Sequence, residues 1–271
     1  MPLRCEYRAQ STVPIEVAGL VPSALREKPL AEIERLPLWH GNRQQPLAEF
    51  FRVTGSAADN CLEFTGNLSS VHRLGTGMTE GSLRIEGSAG RHLGAEMRGG
   101  RIDVSGDAGD WLGAEMYGGM IRVRGNAGDL VGAAYRCSPR GMTGGTILVE
   151  GSAGQETAHS MRRGLIAVAG SMGEFAATNM IAGSLLVFGR CGARPGAGMR
   201  RGTLALLGDQ MPELLVTFRP GSICRPQFMR FVLRWLAKHD FPVPEGLLDA
   251  DYRMYHGDLL AVGRGEILVR Q

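Results

Sequence analysis

Two glutamates, Glu96 and Glu115, stand nineteen residues apart in near-identical surroundings, GAEMRGG and GAEMYGG. Paired carboxylates are the raw material of glycosidase acid/base chemistry. Stacked one above the other, they are equally an exposed like-charged pair splayed into solvent, or a pair bridged by a cation at an interface. Arginine recurs in the same frame. Arg98, Arg162 and Arg200 each follow a methionine directly, and Arg163 and Arg201 come next in line. A guanidinium offers five fixed N–H donors and gives up no proton, so such a row binds anions or docks an acidic surface. A solvated face is the plain alternative. Arg136 and Arg140 add to the same positive strip.

Other reactive groups do not converge. His40, His72, His92, His159, His239 and His256 follow no metal-ligand spacing. Cys5, Cys61, Cys137, Cys191 and Cys224 are scattered singly, which reads as free thiols and not as a zinc or iron–sulfur site. No GxSxG elbow, P-loop or HExxH occurs. The chain is therefore expected to hold no catalytic residue, no metal and no cofactor of its own.

What positions these side chains is a repeat. Methionine returns at Met78, Met97, Met116, Met142, Met161, Met180 and Met199, every interval being nineteen residues except Met116 to Met142, which is twenty-six. Glycine follows three residues later (Gly81 to Gly202) and again six residues after that (Gly87 to Gly208). Between the glycines lie alternating apolar pairs: Leu83/Ile85, Ile102/Val104, Ile121/Val123, Ile147/Val149, Ile166/Val168, Leu185/Val187 and Leu204/Leu206. Alternation over so short a run is the period of a half-buried strand. Nineteen residues hold about two short strands with turns, too few for a βαβ crossover.

The expected fold is all-β: a right-handed parallel β-helix with coils of about 19 residues, stacked about 4.8 Å apart. Glycine is expected at the corners, where φ is positive. The methionines form a ladder inside; a soft-metal role for stacked thioethers lacks any accompanying Cys/His cluster. The residues between the apolar pairs face outward. They are charged at first (Arg84, Asp103, Arg122) and then apolar (Leu148, Ala167, Leu186, Ala205), so this face is expected to be increasingly covered toward the C-terminus. The extra seven residues within Ala133–Met142 bulge out as a loop.

The array occupies residues 47–209, with Phe51/Val53 as a lead-in strand. Residues 1–46, rich in proline, form a mixed N-terminal cap whose best helix candidate is Ser23–Arg35. Residues 210–271 form a C-terminal cap or docking segment. It holds a strand at Leu214–Phe218, one helix from Pro226 to about Lys238 with Phe228, Phe231, Val232 and Trp235 on one face, and a final strand at Glu266–Val269.

A formal net charge of +3, few aromatics and no known nucleic-acid motif argue against nucleic-acid binding. The first ten residues lack an apolar signal core and no long apolar run occurs, so a cytoplasmic protein without membrane association is expected. Leu148 and Leu186, if left bare, would make the isolated chain poorly soluble.

The run G-x-x-M-x-x-G-x-(I/L)-x-V-x-G-x-A-G, together with the terminal GDLLAVGRGEILV, resembles the GXGXG β-helix family over residues about 50–270. That family includes the C-terminal domain of the large glutamate synthase subunit and the C subunit of formylmethanofuran dehydrogenase. The chain's length is similar to that of the latter. The resemblance implies a non-catalytic scaffold in one of two settings. One is a molybdenum or tungsten enzyme reducing carbon dioxide onto methanofuran. The other is a methylotroph formyltransferase/hydrolase complex, which moves a formyl group from formyl-tetrahydromethanopterin to a methanofuran analogue and releases formate. Arginine-rich, lysine-poor composition favours the second. Its partners would be a metal-dependent hydrolase-type subunit and a formyltransferase subunit. A methanofuran analogue would enter at the level of the complex. The polyglutamate tail of that cofactor gives the strip Arg98, Arg162, Arg163, Arg200 and Arg201 a purpose. A stand-alone enzyme acting on carbohydrate is the rival reading.

Overall fold

The computed structural model describes residues 2–9 and 11–271. It begins with β1 (Leu3–Tyr7) and β2 (Ile15–Glu16), followed by two single-turn helices, α1 (Pro22–Leu25) and α2 (Leu30–Ile33). The single helix expected over Ser23–Arg35 is thus split. Pro29 has no N–H to continue the ladder, and its ring excludes the preceding turn. Next come β3 (Pro37–His40), β4 (Arg43–Pro46), β5 (Phe51–Thr54), β6 (Cys61–Thr65) and β7 (Val71–His72). A small sheet has the order β4-β3-β2-β7. β1 lies between β5 and β6, antiparallel to the first and parallel to the second. The N-terminus therefore supplies a strand of the main sheet.

The repeat strands are β8 (Ser82–Glu86), β9 (Arg101–Val104), β10 (Met120–Val123), β11 (Thr146–Val149), β12 (Leu165–Val168), β13 (Ser184–Val187) and β14 (Arg201–Leu206). Each pairs in parallel with the next, column for column: Leu83 with Ile102, Ile102 with Ile121, Ile121 with Ile147, and on to Leu185 with Leu204. The longer interval does not shift this register. A second ladder of single bridges runs beside it through Leu68, Ala89, Ala108, Ala127, Ala153, Met172 and Cys191.

The methionine column is fully buried. Methionine and glycine share one beat for a steric reason. A Cβ on Gly100 would stand 2.6 Å from the Met78 methyl, and one on Gly119 would stand 2.7 Å from that of Met97. The thioethers of Met78, Met97, Met116, Met142 and Met161 thus fill the space that the next repeat's glycine leaves open. Glycine does not hold every turn. His92, Trp111, Leu130, Glu156 and Phe175 all take φ between 53° and 65° in one column. A left-handed L-residue costs about 1–2 kcal/mol. Here each donates its N–H to the following repeat, as His92 does to the Asp110 carbonyl at 2.9 Å.

The chain ends with β15 (Arg219–Cys224), α3 (Gln227–Lys238), β16 (Tyr252–Gly257) and β17 (Arg264–Arg270). β17 lies parallel on β14, with Leu204 opposite Ile267, and so adds one more rung. The full order is β15-β16-β17-β14-β13-β12-β11-β10-β9-β8-β6-β1-β5. The strand expected at Leu214–Phe218 is absent, and pairing begins at Arg219. Phe218 instead plugs the end of the core, its ring close over Gly196 and Gly257.

α3 packs on the outer face of the sheet, and the apolar face expected of it is split: Val232 and Trp235 are partly buried against the sheet cluster. Met229, Leu233 and Leu236 are buried, whereas Phe228 and Phe231 are exposed. The covered surface consists of Leu148, Ala167, Leu186, Ala205 and Leu268. Phe228 and Phe231, one residue round the helix from Met229 and Val232, are left outside that contact. Leu148 and Leu186, in the column expected to be covered toward the C-terminus, are shielded by the chain itself, which removes the ground for poor solubility of the isolated chain. Arg122, expected to face outward, is 6% exposed. Its Nε donates to Glu150 Oε1 at 2.6 Å, and its two terminal nitrogens donate to the His239 and Asp240 carbonyls at 2.8 and 2.7 Å. The cation thereby takes up carbonyls at the C-terminal end of α3, where the helix dipole favours positive charge.

Candidate functional site

A residue that follows a buried methionine points out of the stack. In the repeats of Met161, Met180 and Met199 those outward positions carry Arg162/Arg163, Ile181/Ala182 and Arg200/Arg201. Together with Gly164, Gly183 and Val262 they line an open groove of about 560 Å³. The small middle repeat makes the depression, and the arginine pairs two repeats apart form its banks, about 10 Å from each other by the stacking rise. Among the described residues none of these four guanidinium groups has a carboxylate within 4.0 Å. Unpaired cations on glycine-floored backbone can hold an anion. They cannot move a proton, and no nucleophile, acid or base lines the groove.

The expected strip is therefore brought together in four of its five members. Arg98 stands three repeats away, with Tyr117 and Thr143 between. Its guanidinium lies over the Tyr117 ring, 4.6 Å from the centroid. The row also gains a member that the repeat spacing does not reveal. Arg264 is paired with Arg201 across β14 and β17, is exposed, and has no carboxylate partner among the described residues. Its signal is an Arg-Gly pair, since Arg163-Gly164, Arg201-Gly202 and Arg264-Gly265 head strands of one column. The long excursion before Arg264 breaks the nineteen-residue beat and hides it.

One member of the glutamate pair, Glu115, has a structural use. Glu115 Oε1 accepts the Tyr135 N–H at 3.0 Å, pinning the base of the loop within Ala133–Met142. Tyr135 then stacks on Trp111 (centroids 4.9 Å apart), and its hydroxyl meets His92 Nδ1 at 2.9 Å. Burial pushes the Tyr135 phenol up to about 12. The His92 and His72 imidazoles are held below the usual histidine range, first by burial and then by neighbouring arginines. His72 Nδ1 accepts the Arg91 N–H at 3.0 Å, which requires that nitrogen to be unprotonated. Burial likewise raises the Cys5 and Cys191 thiols to about 12, which removes thiolate reactivity. Among the described residues no three His, Cys, Asp or Glu side chains converge to hold a metal. Among them, too, no helix is long and apolar enough to cross a membrane.

The columns, the parallel ladder and the glycine-marked turns define a class: the chain belongs to the GXGXG motif family, which matches residues 63–216. Over its whole length the chain is similar to one chain of a crystal structure, the formyltransferase/hydrolase complex (FhcABCD) from Methylorubrum extorquens in complex with methylofuran. The two are 32% identical with a TM-score of 0.91, over 99% of each. Curated relatives match more locally. The C subunit of molybdenum-containing formylmethanofuran dehydrogenase 1 from Methanosarcina barkeri is 40% identical over 84 residues, 30% of this chain and 28% of that protein. A tungsten-containing counterpart, the C subunit of formylmethanofuran dehydrogenase 2 from Methanothermobacter thermautotrophicus, is 34% identical over 85 residues, 30% of this chain and 32% of that one. The chain thus spans under a third of the length of these two curated relatives.

Proposed function

We infer that this chain is a non-catalytic scaffold subunit of a formyltransferase/hydrolase complex. The observation that carries the reading is the end-to-end agreement with a chain of such a complex at 32% identity. The complex would pass a formyl group from formyl-tetrahydromethanopterin to a methanofuran analogue and release formate, as part of one-carbon metabolism in the cytoplasm. A metal-dependent hydrolase-type subunit and a formyltransferase subunit supply the chemistry. This chain supplies a right-handed parallel β-helix, with residues 47–209 as the stack and residues 1–46 and 210–271 closing its ends. It holds no cofactor alone. Membership of a molybdenum or tungsten formylmethanofuran dehydrogenase is the second reading, supported by the shorter matches to the C subunits of those enzymes. Independent action on a carbohydrate would rest on Glu96 and Glu115, and the second of these is engaged with the Tyr135 N–H.

Arg162, Arg163, Arg200 and Arg201 then hold an anionic group at the level of the complex, and the polyglutamate tail of the methanofuran analogue fits that chemistry. Arg98, engaged with Tyr117, takes a lesser part. The test is turnover of the assembled complex with tailed and tail-less cofactor, in wild type and in the Arg162→Ala/Arg200→Ala double variant. Wild type is expected to prefer the tailed form, and the variant to lose most of that preference. Equal tail dependence in both would dismiss the tail reading. A purified wild-type chain that never associates with hydrolase and formyltransferase subunits would dismiss the scaffold reading itself.

A further inference from the structure

In each repeat the residue after the methionine donates its N–H to the methionine carbonyl one repeat earlier: Arg162 to Met142, Ile181 to Met161, Arg200 to Met180. Asp258 makes the same bond to Met199, at 3.1 Å. Asp258 therefore occupies the Arg200 position of one further repeat, and Gly265, opposite Gly202, resumes its strand. Asp258 and Gly265 are seven residues apart, whereas Arg200 and Gly202 are two apart. The additional residues, Leu259–Gly263, bulge from the stack beside the arginines.

This bulge is held firmly and yet exposes aliphatic side chains. The Asp258 carboxylate, itself 4% exposed, accepts the Gly198 and Leu260 N–H groups at 3.0 Å each. The Asp258 carbonyl accepts Ala261 and Gly263, and Leu259 donates to the Thr217 carbonyl. On that framework Leu260 is 85% exposed, and Leu259 and Val262 about half. Val216, joined to the loop through Thr217, is 98% exposed. Val262 also lines the arginine groove, so the apolar knob and the guanidinium row are one continuous surface. A mobile loop exposes apolar groups at random, but a backbone pinned by its own buried carboxylate presents them in one geometry. Insertions in stacked repeats map to binding faces.

We propose that the Leu259–Val262 knob with Val216, flanked by Arg200, Arg201 and Arg264, is a docking site for a different subunit, one that offers an aliphatic pocket rimmed by aspartate or glutamate. Charge selects the occupant. A second copy meeting this patch across a two-fold axis would set the same unpaired arginines against each other, whereas a carboxylate rim neutralises them as the knob is buried. Arg162 and Arg163, on the far bank of the groove, remain wholly open to an anion, and Arg200 and Arg201 are shared between that anion and the acidic rim. This rests on the subunit reading above.

The experiment reconstitutes the complex with wild-type chain, Leu260→Ser/Val262→Ser, and Arg201→Glu/Arg264→Glu. Incorporation is read by mass photometry over a concentration series, with circular dichroism melts to confirm folding. Both variants are expected to stay folded and to lose at least about tenfold in affinity, as centrally placed contacts do, the charge variant more steeply at low salt. Undiminished incorporation of a folded Leu260→Ser/Val262→Ser variant overturns the docking proposal while leaving the subunit reading intact. Normal incorporation of Arg201→Glu/Arg264→Glu overturns the acidic rim. Homodimerisation through the patch, abolished by Leu260→Ser, overturns the choice of partner. Failure of the wild-type chain to incorporate sinks the subunit reading and this proposal with it.

Discussion

The outer face of the main sheet is one backbone surface with two characters. Over β6, β8 and β9 its side chains are Glu63, Arg84 and Asp103, and the two carboxylates pair with arginines at the protein surface. Arg84 and Arg4 both reach Glu63, at 3.7 and 3.0 Å, and Arg101 clasps Asp103 at 2.6 Å. From β11 onward the same column reads Leu148, Ala167, Leu186, Ala205 and Leu268, and α3 covers it. Register, strand direction and interior are shared by both halves. Side-chain chemistry alone decides whether solvent or protein lies on top, and the segment beyond the last repeat then supplies the lid. Arg122 stands where the two halves meet. It is charged like its neighbours before it and buried like those after it.

That position makes Arg122 the place where the contrast breaks most easily. Arg122→Ala leaves Glu150 without its closest cation and two carbonyls at the end of α3 without donors. Removing one partner of a buried pair costs about 3–5 kcal/mol. Urea denaturation is expected to show a loss near the lower figure, with α3 released first and seen as early loss of the helical circular dichroism signal. An unchanged midpoint would mean that the helix seats on apolar contact alone.

Leu233→Ala tests the apolar half directly. Leu233 is fully buried between α3 and the sheet, and leucine truncations of this kind cost about 2–5 kcal/mol, depending on how far the site collapses. The expected loss is about 3 kcal/mol, with binding of a hydrophobic dye as Leu148 and Leu186 come into contact with water. A loss under about 1 kcal/mol would show the helix to be loosely laid on the sheet, and the covered half to resemble the wet one.

The sequence showed which face would be covered, but not by what. The columns were legible because a stacked fold turns spacing into adjacency. Nineteen residues along the chain is one rung in space, so Arg162, Arg163, Arg200 and Arg201 could be placed on one surface from their numbers alone. The same logic failed wherever the chain left the beat. Arg264 belongs to their row, yet β15, α3 and β16 intervene, and only its following glycine marks it. α3 carries two apolar stripes, Phe228/Phe231 and Met229/Leu233/Leu236, and periodicity cannot choose between them; only the second is buried. Arg122 read as a third outward charge after Arg84 and Asp103. Nothing local distinguishes an arginine in water from one that holds the end of a helix folded back from more than a hundred residues away. The left-handed turns were half legible: glycine marks some, but His92, Trp111 and Phe175 adopt them under the pull of inter-repeat hydrogen bonds that no propensity records.

The smallest expected effect gives the contrast its sharpest form. Arg84 lies in the same column as Leu148 and Leu186, and its side chain is 63% exposed. Its partner Glu63 is also served by Arg4 at 3.0 Å, so Arg84→Ser leaves no carboxylate unpaired. Exposed ion pairs contribute about 0–1 kcal/mol and are screened by salt. The expected change in urea stability is within about 0.5 kcal/mol, and smaller still when the titration is repeated in high salt. Were Arg84→Ser to cost as much as Leu233→Ala, the charged half of the face would itself be a packed interface in the free chain. A side chain on the wet half and one on the covered half should instead differ severalfold in cost, because only the second has been taken out of water.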